Sequence, residues 1–299
     1  MSAVTVMSLK RWVHIGWAQG LASITAIATL TISSAMPPAQ AQEAIAPSQQ
    51  APSQQAQYQR EFCVSDMQTA INGVIQRPTF ASASWGVVME SLDSQEKLYS
   101  YNENLYFIPA SNVKLLTTAA ALQTLQFNNG SDWVAFQNWI NITNRDSNNG
   151  YADSLLRRLG GPDVVRTALT PLGVDPNGFR QVDGSGLSRY NMAKPQTFIS
   201  ILRGMEASPG RDIFYGSLPI AGQSGTLRNR FRNTAAQGQV HAKTGTLNGV
   251  RALSGYLEHP RRGTLVFSIM VNQPGQSGTT MLQAIDQMVL SLMAVEDCR

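Results

Sequence analysis

The sequence predicts an α/β protein of the α+β type: an antiparallel sheet flanked by helices, with a helical subdomain inserted among its strands. Three observations point there. Apolar residues recur at helical spacing at both ends of the folded part. Strand-like segments fall into two groups, two near the N-terminus and three near the C-terminus. The long middle is mostly helical in pattern.

Taken in order, Glu61 to Gln76 places Phe62, Met67, Ile71 and Ile75 at near-helical spacing and predicts the first helix. Trp85 to Glu90 and Lys97 to Tyr101 flank the turn formers Ser91 to Gln95, a strand–turn–strand pattern. Leu115 to Leu125 is rich in Ala and Leu and free of Gly and Pro, so it predicts a helix with Ser111 near its N-terminus. Trp133, Phe136, Trp139 and Ile140 suggest the apolar face of another helix in a polar, Asn-rich stretch, and Tyr151 to Leu159 a further one closed by Gly160-Gly161-Pro162. Gln239 to Thr246, Val250 to Leu257 and Thr264 to Val271 read as strands, and Met281 to Val295 as the last helix.

With 299 residues, 43% of them apolar and only 14% charged, the chain can bury a large core, and disorder throughout is excluded. Residues 1–41 have the layout of a secretory signal peptide: Lys10-Arg11, a mostly apolar run from Trp12 to Met36, then Ala39-Gln40-Ala41 as a cleavage site. An uncleaved anchor is the alternative, diluted by Gln19, Ser23, Thr25, Thr29 and Thr31. Residues 42–60, rich in Gln, Ala, Pro and Ser, read as a linker, and 61–299 as the folded domain. Removing Lys10 and Arg11 leaves 21 basic residues against 19 acidic ones, a balance that calls for no nucleic-acid partner. The expected location is periplasmic or otherwise extracytoplasmic, with the membrane met only in export. There Cys63 and Cys298 could pair, closing a loop valued at roughly 4–5 kcal/mol by chain entropy, or stay as two thiols. A bridge would set the terminal helices side by side.

For chemistry, the folded part offers only His241 and His259 and has no Gly-x-Ser-x-Gly elbow, which disfavours a Ser-His-Asp hydrolase. Metal-ligand spacings are absent too, so neither a metal nor another cofactor is expected. What stands out is Ser111-Asn112-Val113-Lys114. On a helix, i and i+3 share a face, so the lysine amine can reach the serine hydroxyl and act as its base once its pKa is lowered. Ser147-Asn148-Asn149 follows, which alone would read as a helix cap, and then Lys243-Thr244-Gly245-Thr246 on a strand. A strand alternates its faces, so Lys243 and Gly245 oppose Thr244 and Thr246 unless the strand borders a cleft. Each motif is weak alone. In this order they form a joint signal, and two of only five lysines fall within it.

The chain resembles the D-alanyl-D-alanine carboxypeptidase/endopeptidase family of penicillin-binding protein 4 type, the class C low-molecular-mass penicillin-binding proteins. Beyond the three motifs, the resemblance rests on Asp183-Gly-Ser-Gly-Leu-Ser-Arg-Tyr-Asn191, Leu218-Pro-Ile-Ala-Gly-Gln-Ser-Gly-Thr-Leu-Arg228 and Lys243 to Tyr256. It implies a penicillin-binding/β-lactamase-like transpeptidase fold and a serine-type carboxypeptidase acting on peptidoglycan stem peptides, acylated also by β-lactam antibiotics. In it Ser111 would attack the carbonyl between two D-alanines, Lys114 would take its proton and Ser147 would pass that proton to the leaving amine. Asn149 would bind the substrate backbone, and Lys243 would supply positive charge. Thr244 and Thr246, flanking Gly245, would bind the substrate carboxylate, and the N–H groups of Ser111 and Thr246 would form the oxyanion hole. Asp183 to Asn191 reads as a structural brace.

One departure is plain. Family members carry a large insertion between the first two motifs, whereas only 32 residues separate Lys114 from Ser147 here. That keeps two other readings open, a muropeptide-binding protein with poor turnover and a β-lactamase. The second needs a base for deacylation, and none of Asp153, Asp163, Asp175, Asp183, Glu206 and Asp212 lies in a recognisable base motif.

Overall fold

A computed structural model describes residues 61–125, 130–296 and 298; the expected signal peptide and linker lie outside the described residues. Five strands form one antiparallel sheet in the order β2-β1-β7-β6-β5. They are β1 (Ser84–Ser91), β2 (Lys97–Tyr101), β5 (Val240–Leu247), β6 (Val250–His259) and β7 (Gly263–Asn272), while β3 (Phe179–Arg180) and β4 (Met192–Ala193) make a separate two-stranded ladder. The helices are α1 (Val64–Ile75), α2 (Val113–Thr124), α3 (Gly130–Asn144), α4 (Asn149–Leu159), α5 (Pro162–Leu169), α6 (Pro195–Glu206), α7 (Arg211–Gly216) and α8 (Gly278–Met293).

The central strands are covered on both faces, which is why β1, β6 and β7 are buried almost end to end. Val87 and Met89 join a core with Met67 and Ile71 of α1 and Ile285, Met288 and Val289 of α8. Val88, between them, points the other way into a core with Leu115 and Leu116 of α2, Phe136 and Ile140 of α3, and Phe198 and Leu202 of α6. Cys63 and Cys298 are joined by a disulfide with Cα atoms 5.5 Å apart, and Glu296 N–H donates to Phe62 O at 2.8 Å, so α1 and α8 lie side by side.

Helices α5, α6 and α7 and the β3–β4 ladder are additional to the elements read from the sequence, and three of the expected elements differ in extent. The anticipated four-residue face of α3 is narrower, because Phe136 and Ile140 are buried whereas Trp133 is 38% exposed. The helix expected from Tyr151 starts at Asn149, since Asn148 Oδ1 accepts from Tyr151 N–H at 3.0 Å and caps it. The connection between β6 and β7 is also shorter than His259 to Gly263, because both strands extend into it.

Candidate active site

Ser111 sits in a single 3-10 turn, Ala110–Asn112, that runs into α2. Ala110 before it has φ +48°, a conformation that costs a non-glycine residue about 1–2 kcal/mol and so must be held by its surroundings. Two glycines do the holding. A Cβ on Gly186 would lie 2.0 Å from Ala110 O and 2.8 Å from Ser111 N, so only glycine lets the Asp183–Asn191 loop lie against the turn. A Cβ on Gly245 would lie 2.5 Å from Pro109 O, so the same residue type lets β5 approach from the other side. This is the physical content of the glycine in Lys243-Thr244-Gly245.

The i, i+3 relation does what its spacing promises. Lys114 Nζ lies 2.9 Å from Ser111 Oγ and 2.9 Å from Asn149 Oδ1, and it also donates to Ser185 O. The side chain is completely buried. Burial lowers its pKa from the ordinary 10.5 to about 8, against the pull of Asp153 and Asp183, which favour the cation. A neutral amine within reach of a serine hydroxyl is a base poised for proton transfer.

Ser147 follows α3 with φ +56°. Its Oγ accepts from Lys243 Nζ at 2.8 Å, and Lys243 also reaches Thr244 O at 3.1 Å. Lys243 is completely buried, and burial first, then the neighbouring Lys114 ammonium, push its pKa well down. Both effects work against the positive charge that the family resemblance assigns to this lysine, and an anion beside it would work in favour of that charge.

β5 is the edge strand, and its register decides what it offers. Leu247 pairs with Val250 across the two-residue turn Asn248-Gly249, so odd-numbered residues of β5 exchange hydrogen bonds with β6. The even-numbered N–H groups point away from β6, as Ala242 confirms by donating to Pro219 O at 3.0 Å. Those of Thr244 and Thr246 therefore face outward along the exposed edge. Thr244 Oγ1 lies 2.8 Å from Thr226 Oγ1, and with Ser147, Arg230, Thr246 and Leu282 these threonines line a pocket of about 220 Å³.

Residues 183–191 form a brace with one added contact. Asp183 accepts from Gly186 N–H, Ser188 N–H and the Asn191 amide, while Asn191 Oδ1 accepts from Val182 N–H at 2.7 Å. The loop so fixed presents Ser185 O to Lys114 and, at 3.3 Å, to Ser111 Oγ. Sequence reasoning singled out the loop but not this carbonyl. It also missed Thr226, just inside the quoted Leu218–Arg228 segment, and Arg230, just beyond it.

The two paired constellations, Ser111–Lys114–Asn149 and Ser147–Lys243, thus come from α2, α4, the turn after α3 and β5. Among the described residues, no group of three or more His, Cys, Asp or Glu side chains is arranged to hold a metal ion.

A sequence model of the D-Ala-D-Ala carboxypeptidase 3 (S13) family matches residues 67–130 and 135–295. The chain belongs to the D-Ala-D-Ala carboxypeptidase 3 (S13) family. The break in that match, at 131–134, falls between Lys114 and Ser147, where the S13 resemblance implied a missing insertion. Among S13 relatives, a D-alanyl-D-alanine carboxypeptidase of Actinomadura sp. (strain R39) is 43% identical over 162 residues, 49% of this chain and 30% of the relative. A penicillin-sensitive carboxypeptidase A of Dictyostelium discoideum is 33% identical over 189 residues, 54% of this chain and 36% of that one. The chain therefore spans about a third of the length of these curated relatives. Penicillin-binding protein 4 (dacB) from Haemophilus influenzae, solved with a β-lactam, superposes with a TM-score of 0.63 at 14% identity, covering 76% of this chain and 99% of that one. A β-lactamase from Chitinophaga pinensis gives 0.61 at 18%, covering 76% and 98%. These likenesses establish the penicillin-binding/β-lactamase-like fold.

Proposed function

We propose that the protein is an exported serine-type D-alanyl-D-alanine carboxypeptidase that acts on peptidoglycan stem peptides and is acylated by β-lactam antibiotics. The observation that carries this reading is the buried Lys114 amine, its pKa lowered to about 8, at 2.9 Å from Ser111 Oγ. S13 membership and the names of the relatives support the substrate class. The Cys63–Cys298 bridge and the signal-like residues 1–41 support export.

In the proposed cycle Lys114 takes the Ser111 proton as Oγ bonds to the carbonyl carbon of the penultimate D-alanine. The oxyanion forms against the N–H groups of Ser111 and Thr246, each worth about 3–4 kcal/mol if it acts as such donors do elsewhere. Ser147, hydrogen-bonded to Lys243, hands its proton to the departing amine as the carbon–nitrogen bond breaks and takes the Ser111 proton from the Lys114 ammonium in exchange, which leaves Lys114 neutral again. Water then attacks the ester, releases the shortened peptide as its acid and restores the Ser111 hydroxyl. Asn149, besides holding Lys114, faces the substrate backbone.

The test is to incubate the purified protein with a fluorescent penicillin and with a pentapeptide ending in D-Ala-D-Ala, beside Ser111→Ala. A stable label on the wild type, none on the variant and release of D-alanine are expected. No label would end the acyl-enzyme mechanism. A label without D-alanine release would favour a muropeptide-binding protein, and rapid loss of the label a β-lactamase.

A further inference from the structure

Arg230 plays no part in the cycle above, yet it lines the pocket shared by Ser147, Thr226, Thr244, Thr246 and Leu282. Its side chain is only 13% exposed. Nε donates to Asp286 Oδ1 of α8 at 3.0 Å and Nη2 donates to the same oxygen, while Nη1 is buried with no acceptor. A buried donor left unmet is uncommon, because it forfeits its hydration without compensation. The backbone next to it is also held in an unfavourable state. Phe231 has φ +60°, which is rare for a bulky residue, and its ring is buried with the Arg230 guanidinium 5.3 Å from the centroid. The chain thus accepts strain and an unmet donor to keep one cation at this wall.

The charge balance points to the ligand. Of the described residues that line the pocket, Arg230 is the charged one and none is acidic; its carboxylate partner, Asp286, stands behind it on α8. The pocket's other polar groups are hydroxyls, which can donate to an anion, and the outward N–H groups of β5 run along the same edge.

We infer that Arg230 is the residue that selects a free carboxylate on the leaving group, with Asp286 as the positioning residue that aims it. This rests on the proposed carboxypeptidase reading and deepens it: the leaving group is a small amino acid with an unblocked α-carboxylate, held by Arg230 together with Thr226, Thr244 and Thr246. Thr244 and Thr246 supply short hydroxyl donors. Arg230 supplies the charge that distinguishes an acid from its neutral amide.

Two measurements test it. On a Ser111→Ala background, calorimetry compares N-acyl-D-Ala-D-Ala as free acid and as C-terminal amide. The acid should bind more tightly, and Arg230→Gln should cut that preference by about 10- to 100-fold through weaker acid binding alone. Arg230→Lys should restore part of it, and Asp286→Asn should lose part of it. With Ser111 intact, acylation by benzylpenicillin should slow in Arg230→Gln while acylation by its methyl ester holds. Equal weakening of acid and amide in Arg230→Gln would make the residue merely structural and overturn the inference, as would an unchanged preference or a wild-type pocket indifferent to the carboxylate. If the Ser111-intact protein takes no label but the acid preference on Ser111→Ala still depends on Arg230, the carboxypeptidase reading fails and the anion subsite stands.

Discussion

Acylation of Ser111 should rise steeply with pH, and Lys114 sets where. Burial brings its ammonium from 10.5 to about 8, with Asp153 and Asp183 opposing the shift. A base of that pKa is about one-tenth neutral at pH 7 and about one-hundredth neutral at pH 6. An unperturbed lysine would be about 0.03% neutral at pH 7, so burial enlarges the reactive fraction there by about 300-fold. The second-order rate constant for labelling by benzylpenicillin should therefore climb about tenfold from pH 6 to 7, bend near 8 and level off beyond it. Asp153→Asn removes an anion that favours the cation, so its bend should move to lower pH and its rate at pH 6 should rise relative to its own plateau. Rapid-mixing kinetics with a chromogenic or fluorescent penicillin, from pH 5.5 to 9.5, would give both profiles. A flat profile between pH 6 and 8, a bend near 10, or an Asp153→Asn bend displaced upward would refute Lys114 as the base.

Gly186→Ala should abolish labelling and cost about 3 kcal/mol in urea unfolding, since its Cβ would lie 2.0 Å from Ala110 O at a φ of +86°. Gly245→Ala should leave far-UV circular dichroism unchanged yet slow labelling, because its Cβ meets Pro109 O and displaces β5 from the nucleophile turn. Replacing both Cys63 and Cys298 by serine should lower stability by at most about 5 kcal/mol, read as a lower guanidinium midpoint, with labelling of the folded protein retained. Asn144→Ala should cost about 1–3 kcal/mol in thermal or urea unfolding, because Asn144 is buried and donates to Thr118 Oγ1 and to Ser217 Oγ.

How much of this was legible depends on what kind of group makes each contact. Side chains with a fixed spacing were readable: Ser111 and Lys114 one helical turn apart, and the five main strands as short runs bounded by turn formers. Helix α6 was readable too and was passed over, although Phe198, Ile201, Leu202 and Met205 fall at i, i+3, i+4 and i+7 behind Pro195. Ser185 contributes through its carbonyl, which every residue possesses, so no residue type could announce it. Arg230 and Asp286 are 56 residues apart and come together only because the loop before β5 and helix α8 share one wall. Cys63 and Cys298 showed that a bridge was possible; only the packing of α1 on α8 brings the two cysteines together. The lowered pKa of Lys243 comes from its burial and from the nearness of Lys114, neither of which a Lys-Thr-Gly triplet records.

The shortness of the span between Lys114 and Ser147 bears on how self-sufficient this core is. Asn144, the last residue of α3, is buried and ties that helix to α2 through Thr118 and to the segment after α7 through Ser217. Three residues later the chain places Ser147 against Lys243, and α4 then begins with Asn149 on Lys114. Asp153 stands one turn further along α4 on the same side, acting on the same lysine, with its Oδ1 buried and without a hydrogen-bond partner. Thus the 15-residue α3 and its short exit do the aligning. The groups found around Ser111 all come from elements of this compact core, so a further domain between the motifs would extend the cleft walls without being needed to assemble its floor. The chemistry proposed for Ser111 should therefore persist in the chain as it stands, with the absent walls felt in the affinity for long substrates rather than in the acylation step.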